Sequence, residues 1–118
     1  MEKIITVILI VIILVPLLLC NFPLAVVEGN SMYPTYKDGS VLLATRLFNI
    51  EHLKVGDVCV YQRGENLVIK RITRINPTGD SYSFYFEGDN PTDSYDSRHY
   101  GYVEEERIVA KVIGKIKY

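Results

Sequence analysis

The sequence predicts a mainly β protein, in which a small, partly closed β-barrel domain follows one N-terminal transmembrane helix. The first observation is an unbroken apolar run without a charge, Ile4–Leu19. The second is that the pattern changes from Glu28 onward to short strand-like runs separated by turn residues, with no helical periodicity of useful length. We therefore expect a membrane anchor over residues 1–27 and a β-rich domain over residues 28–118.

The apolar run is long enough for a membrane anchor. As a helix, Ile4–Leu19 spans about 24 Å, and an extension to Val27 spans about 36 Å, against a hydrocarbon core of about 30 Å. Pro16 is tolerable in such a helix, and Pro23 marks its exit. A cleaved secretory signal would have a shorter apolar core and a small-x-small cleavage site, and a buried core helix would have a polar face. The run has none of these features.

The N-terminal charges bear on orientation. Lys3 and the terminal amine favour an N-terminus inside the cell, although Glu2 dilutes this signal. We expect a single-pass protein of the cell membrane, in contact with lipid, with its β-rich domain on the extracytoplasmic side.

The β-rich domain shows five strand-like runs. A turn over Arg63–Asn66 predicts a hairpin, Asn76–Asp80 predicts another turn, and Gly114 predicts a bulge in the last run. Between the first two runs, Leu47–Leu53 allows one short turn at most. The predicted strands are Ser40–Ala44, Val58–Tyr61, Leu67–Ile75, Ser81–Phe86 and Ile108–Ile116. Short strands of this kind typically form a small, partly closed barrel.

Composition excludes some classes of function. The net charge is -1, with 13 basic and 14 acidic residues, so no basic excess points to nucleic acid as a partner. Cys20 and Cys59 could pair outside the cell, but we expect two buried free thiols. No His/Cys cluster has the spacing of metal ligands, so we expect neither a metal nor a cofactor.

A loop around Ser31 is the first candidate for chemistry. Gly29 and Asn30 permit unusual backbone angles, and Pro34 fixes the turn after the serine. Such a loop can present the Ser31 hydroxyl and aim its backbone N–H at an oxyanion. On this evidence alone, a serine in such a loop is usually just a turn residue.

Lys70 is the second candidate. In a strand it lies on the side of Val68 and Ile72, opposite Arg71. Either the lysine snorkels to a nearby edge, or its amine is desolvated, which lowers its pKa. A neutral amine can take a proton from a serine hydroxyl, which is the chemistry of a Ser-Lys dyad. His52 and His99 have no acidic residue placed to orient them, and we expect both to be exposed.

Four blocks, in order behind the apolar run, resemble bacterial type I signal peptidases. Ser31-Met-Tyr-Pro-Thr35 resembles their nucleophile block, and Gly56-Asp-Val-Cys-Val-Tyr61 resembles their Gly-Asp-apolar strand. Lys70-Arg71 resembles their Lys-Arg pair. Gly88-Asp-Asn-Pro-Thr-Asp-Ser-Tyr-Asp-Ser-Arg98, followed by Gly101, resembles their Gly-Asp-Asn block.

The resemblance implies Ser31 as nucleophile and Lys70 as general base. It implies that Ser94 orients the lysine amine, and that Asp96 and Arg98 form a structural ion pair. Lysine at position 70 resembles the bacterial and organellar type, because the endoplasmic-reticulum and archaeal type carries histidine there.

The sequence also departs from the family pattern. Gly29 stands where several relatives have a serine that helps to form the oxyanion hole, and Pro91-Thr92 and Asp93 replace commoner residues. Asp89 and Asn90 are expected to fix their loop rather than react. Candidate walls of the shallow substrate pockets are Val26, Val27 and Met32.

The expected function is removal of signal peptides from secreted precursor proteins by a membrane-bound serine endopeptidase. Three alternatives are a specialised Ser-Lys processing peptidase for one exported substrate, a self-cleaving regulator of the repressor type, and a non-catalytic, membrane-tethered binding module. The repressor type needs a DNA-binding or cleavable arm, and the sequence shows neither.

Overall fold

A computed structural model describes residues 1–117 as one apolar helix followed by a seven-stranded antiparallel sheet. The mainly β prediction is therefore confirmed, while Tyr118, the last residue of the predicted domain 28–118, lies outside the described residues. The helices are α1 (Glu2–Asn21) and α2 (Ser97–Tyr100). The strands are β1 (Leu24–Val26), β2 (Val41–Thr45), β3 (Val58–Arg63), β4 (Asn66–Thr78), β5 (Ser81–Glu87), β6 (Val103–Glu104) and β7 (Ile108–Lys117).

Helix α1 has 20 residues, which corresponds to about 30 Å. By length and composition it is sufficient to cross a membrane, and none of its residues is buried against the rest of the chain. The helix ends at Asn21, just before Pro23, where its exit was predicted, and it does not extend to Val27. After Pro23 the chain pairs with β2 as strand β1.

The strand order in the sheet is β1-β2-β7-β3-β4-β5-β6. The C-terminal strand β7 therefore lies between β2 and β3 and joins the two halves of the sheet. Among the described residues the edge strands β1 and β6 do not pair with each other, so the sheet is not closed into a barrel.

Two hydrophobic clusters lie on opposite faces of the sheet. Val58 and Val60 of β3 belong to one cluster, whereas the alternating residues Cys59 and Tyr61 belong to the other. The first cluster also holds Met32, from the loop around Ser31. Burial of both faces is what fixes the register of the central strands.

Several local predictions can be compared with the structure. The Arg63–Asn66 hairpin is confirmed, and so is a short turn within Leu47–Leu53, a 3-10 turn over Ile50–His52. A register shift separates the pairs Leu43–Gly114 and Ala44–Val112, where the bulge was predicted. The turn predicted at Asn76–Asp80 is shorter than expected, because β4 continues to Thr78 and pairs with β5.

The cysteines differ from expectation in one respect. Both thiols are free, and Cys59 is buried, where burial raises its pKa to about 12. Cys20 is exposed, so the expectation of a buried thiol is wrong there. Cys20 belongs to α1, and no residue of this helix is buried against another described element.

Candidate active site

The Lys70 side chain is buried in the middle of β4. It is 7% exposed and lies opposite Cys59 of β3, so the snorkelling interpretation is wrong. Burial lowers the pKa of the Lys70 amine, and the Asp96 carboxylate opposes that shift without cancelling it. The amine is therefore easier to deprotonate than that of an exposed lysine.

The loop around Ser31 brings its hydroxyl to this amine. Gly29 begins the loop with a φ of +82°, a backbone conformation that side chains with a Cβ rarely adopt. Nζ of Lys70 lies 2.9 Å from Oγ of Ser31, within hydrogen-bonding distance, although 39 positions separate the two residues in the chain.

The segment from Gly88 to Arg98 holds the Ser31 loop in place. The backbone N–H of Asn90 donates to the Ser31 carbonyl oxygen at 2.8 Å, and the Asn90 side chain donates to the Asn30 carbonyl oxygen at 3.0 Å. Gly88 passes so close to Ser31 and Ser94 that a Cβ has no room there. The backbone of the serine loop is thus fixed from a segment almost 60 residues away.

Asp96 is the polar centre of that segment. It is fully buried, and Arg98 contacts both of its carboxylate oxygens, with Nε at 2.9 Å and Nη2 at 2.6 Å. Desolvation alone would raise the pKa of Asp96, but hydrogen bonds from Arg98, from the Gly88 backbone and from Ser94 hold it well below its usual range. Asp96 therefore remains a carboxylate, and its negative charge acts electrostatically on the Lys70 amine.

The Ser94 hydroxyl donates to this carboxylate at 2.5 Å. The hydrogen bond of the Lys70 amine is with Ser31. The structure thus places Ser94 between Gly88 and Asp96, and its role in orienting the lysine stays a prediction.

A second polar network was not found in the sequence. Arg71 donates to both oxygens of Asp89, at 2.9 and 2.8 Å, and the Thr35 hydroxyl donates to Asp89 at 2.6 Å. This network joins the strand that carries Lys70 to the loop that carries Ser31. It also shows that Asp89 fixes its loop, as expected. The sequence feature that could have indicated this network is the Lys70-Arg71 pair, because adjacent residues of a strand point to opposite faces and Arg71 therefore points away from Lys70.

A groove of about 910 Å³ runs along the Ser31–Lys70 pair. Its walls are β1 and the beginning of β4, together with the loop that ends at Met32. All three candidate pocket residues line it. Val27 and Met32 are 4% and 1% exposed, whereas Val26 is 59% exposed. Their role in substrate pockets stays a prediction.

The backbone N–H of Ser31 is a candidate donor to an oxyanion. Within residues 1–117, the backbone N–H of Ser31 has no hydrogen-bond acceptor and is therefore available to an oxyanion. The N–H of Gly29 is not available, because it donates to the Asp38 carboxylate at 2.8 Å. Gly29 therefore contributes to the geometry of the loop, and it has no hydroxyl that could donate to an oxyanion.

Both histidines are exposed, as expected. Nδ1 of His99 accepts the Asp96 backbone N–H at 3.2 Å, and the Asp96 carboxylate, 3.9 Å away, does not accept a hydrogen bond from that ring nitrogen. The histidine caps helix α2 in this way. Among the described residues, no group of three or more His, Cys, Asp or Glu side chains could hold a metal ion.

The site therefore consists of a serine hydroxyl beside a buried amine on an open antiparallel sheet, an arrangement with the chemistry that covalent acyl transfer needs. Residues 21–113 match the Peptidase S24-like family, and the chain belongs to this family. It is also 30% identical over 102 residues to the signal peptidase complex catalytic subunit sec11 of Sclerotinia sclerotiorum. That match covers 81% of this chain and 59% of the relative. The resemblance to signal peptidases is thereby confirmed at the level of the family.

Proposed function

We propose that this chain is a membrane-bound serine endopeptidase that removes signal peptides from secreted precursor proteins. The observation that carries the proposal is the 2.9 Å contact between the Ser31 hydroxyl and the Lys70 amine, whose pKa burial lowers. Membership of the Peptidase S24-like family and the similarity to a signal peptidase subunit support it. Lysine rather than histidine at position 70 supports the bacterial, Ser-Lys type.

In the proposed reaction, the neutral Lys70 amine accepts the hydroxyl proton while Ser31 Oγ attacks the scissile carbonyl carbon. The Ser31 N–H donates to the developing oxyanion. The protonated Lys70 then gives its proton to the leaving amine, and an acyl-enzyme remains. Water, deprotonated by Lys70, attacks the ester carbon, the bond between that carbon and Ser31 Oγ breaks, and Lys70 returns the proton to Oγ as the carboxylic acid product leaves. The reaction needs no metal or cofactor in this form.

The groove suits an extended substrate. β1 pairs only with β2, and residues 66–70 of β4 pair only with β3, so both strands offer an unpaired edge within the described residues. A precursor in extended conformation can hydrogen-bond to such an edge. The resemblance to signal peptidases implies small residues at the first and third positions before the cut, and Val26, Val27 and Met32 are the proposed walls of their pockets.

We also propose that residues 1–27 anchor the enzyme, with the β-rich domain on the extracytoplasmic side. Helix α1 provides the membrane span, and β1 belongs to the sheet although it falls within the predicted anchor. Enzyme and precursor then share one membrane, which raises their effective concentration.

The test is cleavage of a precursor peptide whose signal ends in Ala-x-Ala, by the full chain in detergent. Wild type is compared with Ser31→Ala and Lys70→Ala across pH. We expect cleavage by wild type alone, with a rate that rises with pH through an apparent pKa below that of a free lysine, because only the neutral amine acts as base.

Arg46→Ala, at an exposed residue outside the groove, is the matched control and keeps activity. Cleavage by either active-site variant would refute the dyad. If wild type cleaves one exported substrate but no general precursor, the chain is a specialised processing peptidase. If folded wild type cleaves none of several precursors, a narrow-substrate processing peptidase or a non-catalytic binding module is favoured.

A further inference from the structure

The walls of the substrate groove carry an excess of negative charge. Three carboxylates line it, from Glu28, Glu65 and Asp93. The single cationic residue among its lining is Lys70, whose amine is buried and has a lowered pKa. None of the three carboxylates forms an ion pair within residues 1–117, so their charges are available to a bound substrate.

Of the three, Glu65 is the carboxylate that immediately precedes strand β4, which carries Lys70. It lies in the two-residue turn between β3 and β4, beside Gly64, whose φ of +61° suits a tight hairpin turn. The nearby Arg63 does not neutralise it. The Arg63 guanidinium lies over the Tyr100 ring at 3.9 Å and near the Tyr95 ring at 5.3 Å.

The register of β4 relates Glu65 to the cleavage point. β4 begins at Asn66, four residues before Lys70, which corresponds to about 13 Å at about 3.3 Å per residue, and Glu65 lies one residue further along, in the turn. A substrate extended along this wall, with its scissile bond at Lys70, places its fifth residue opposite Glu65. Because the pockets proposed for the residues before the cut, walled by Val26, Val27 and Met32, belong to the same groove, the proposal places that fifth residue on the N-terminal side of the cut.

We infer that Glu65 is a specificity-determining residue, which favours a lysine or arginine about five residues before the cleaved bond. The inference rests on the proposed peptidase function and names a substrate preference of the same groove. Glu28 and Asp93 add negative charge to this groove and disfavour acidic substrates along it. The proposed binding site is the substrate groove, and Glu65 provides the negative charge at the end of the groove that is distant from Lys70.

The experiment uses the full chain in detergent and three peptides that differ only at the fifth residue before the cut, which is Lys, Gln or Glu. We expect kcat/KM for the Lys peptide to exceed that for the Glu peptide by about three- to tenfold at low salt, and the ratio to fall at high salt. Glu65→Gln reduces the ratio, and Glu65→Lys reverses it. Glu106→Gln, at an exposed carboxylate outside the groove, leaves the ratio unchanged.

Binding of the same peptides to Ser31→Ala separates this inference from the proposed function. If no peptide is cleaved but the Lys peptide binds more tightly, and Glu65→Gln abolishes the difference, the charge preference stands and the peptidase proposal fails. If all three peptides are cleaved at equal rates, the preference is wrong and the peptidase proposal stands. Absence of both cleavage and binding overturns both.

Discussion

At Gly88 the chain passes so close to the nucleophile loop that a β carbon would overlap Oγ of Ser94 and lie 2.6 Å from the carbonyl oxygen of Ser31. The neighbour at Ser31 is backbone, which cannot turn aside as a flexible side chain can. Gly88 also donates its own N–H to Asp96 at 2.8 Å, so the backbone there cannot retreat without breaking that bond. A glycine is required here by close approach.

We therefore expect Gly88→Ala to lower the free energy of unfolding by about 1 to 3 kcal/mol and to reduce cleavage sharply, since the added methyl displaces Ser31. Urea unfolding and peptide cleavage measure the two effects. Gly114→Ala is the matched control, because a Cβ there meets nothing within 4 Å and its φ is not positive. Equal behaviour of the two variants would contradict the packing argument.

The buried amine of Lys70 makes folding stability depend on pH. Its pKa is lowered in the folded state, so between that value and about 10.4 the unfolded chain binds more protons than the folded one. The contribution of Lys70 to stability therefore increases as pH rises through this window, by about 1.4 kcal/mol for each unit by which the pKa is lowered.

Lys70→Met should remove this part of the pH dependence and should be as stable as wild type, or more stable, near pH 7, because no charge need be buried. Urea unfolding at several values between pH 7 and pH 10 checks this. Lys54→Met removes a lysine whose side chain is 72% exposed, and the free energy of unfolding of this variant should depend on pH as in wild type. An unchanged slope in Lys70→Met would show that the amine is not desolvated.

At the scale of elements, the junction between α1 and β1 is short and tied to the sheet. Only Phe22 and Pro23 separate the two elements. The Arg46 N–H donates to the Asn21 carbonyl oxygen at 2.8 Å, and the Ala44 N–H donates to the Pro23 carbonyl oxygen at 2.9 Å. The end of the proposed membrane helix therefore holds one wall of the groove without a flexible linker.

Insertion of Gly-Ser-Gly-Ser between Asn21 and Phe22 lengthens this junction by up to about 14 Å. We expect cleavage of a precursor embedded in the same lipid vesicle to fall more than cleavage of a soluble peptide, because the groove is no longer held at a fixed height. Comparison of the two substrates with wild type and with the insertion variant measures the difference. An equal loss on both substrates would mean that the insertion disturbs the sheet itself.

At the scale of the whole molecule, the site lies where three separate segments meet. The Ser31 loop belongs with the β1–β2 half of the sheet, and Lys70 belongs with the β3–β6 half. Strand β7 joins the halves, and the segment after β5 bonds to both, through Asn90 to Ser31 and through Asp89 to Arg71. The distance between hydroxyl and amine thus depends on the complete sheet.

The sequence by itself determined what depends on local pattern. The long apolar run predicted α1, alternation and turn residues predicted the five longer strands, and alternation also placed Lys70 on a buried face. The four motif blocks identified the family and named Ser31 and Lys70 as the pair to examine. These features follow from neighbours in the chain, so they can be recognised without the fold.

Only the tertiary structure decided which distant residues meet. The sequence assigned β1 to the anchor because its apolar residues continue the run of α1. It is a strand because it pairs with β2, which no local pattern shows. β6 and α2 are too short for a periodic signal. The Arg71–Asp89–Thr35 network joins residues up to 54 positions apart, and the carboxylates of the groove, from Glu28 to Asp93, come from segments still further apart. Burial and hydrogen-bond partners depend on such non-local contacts, and no local pattern of residues specifies them.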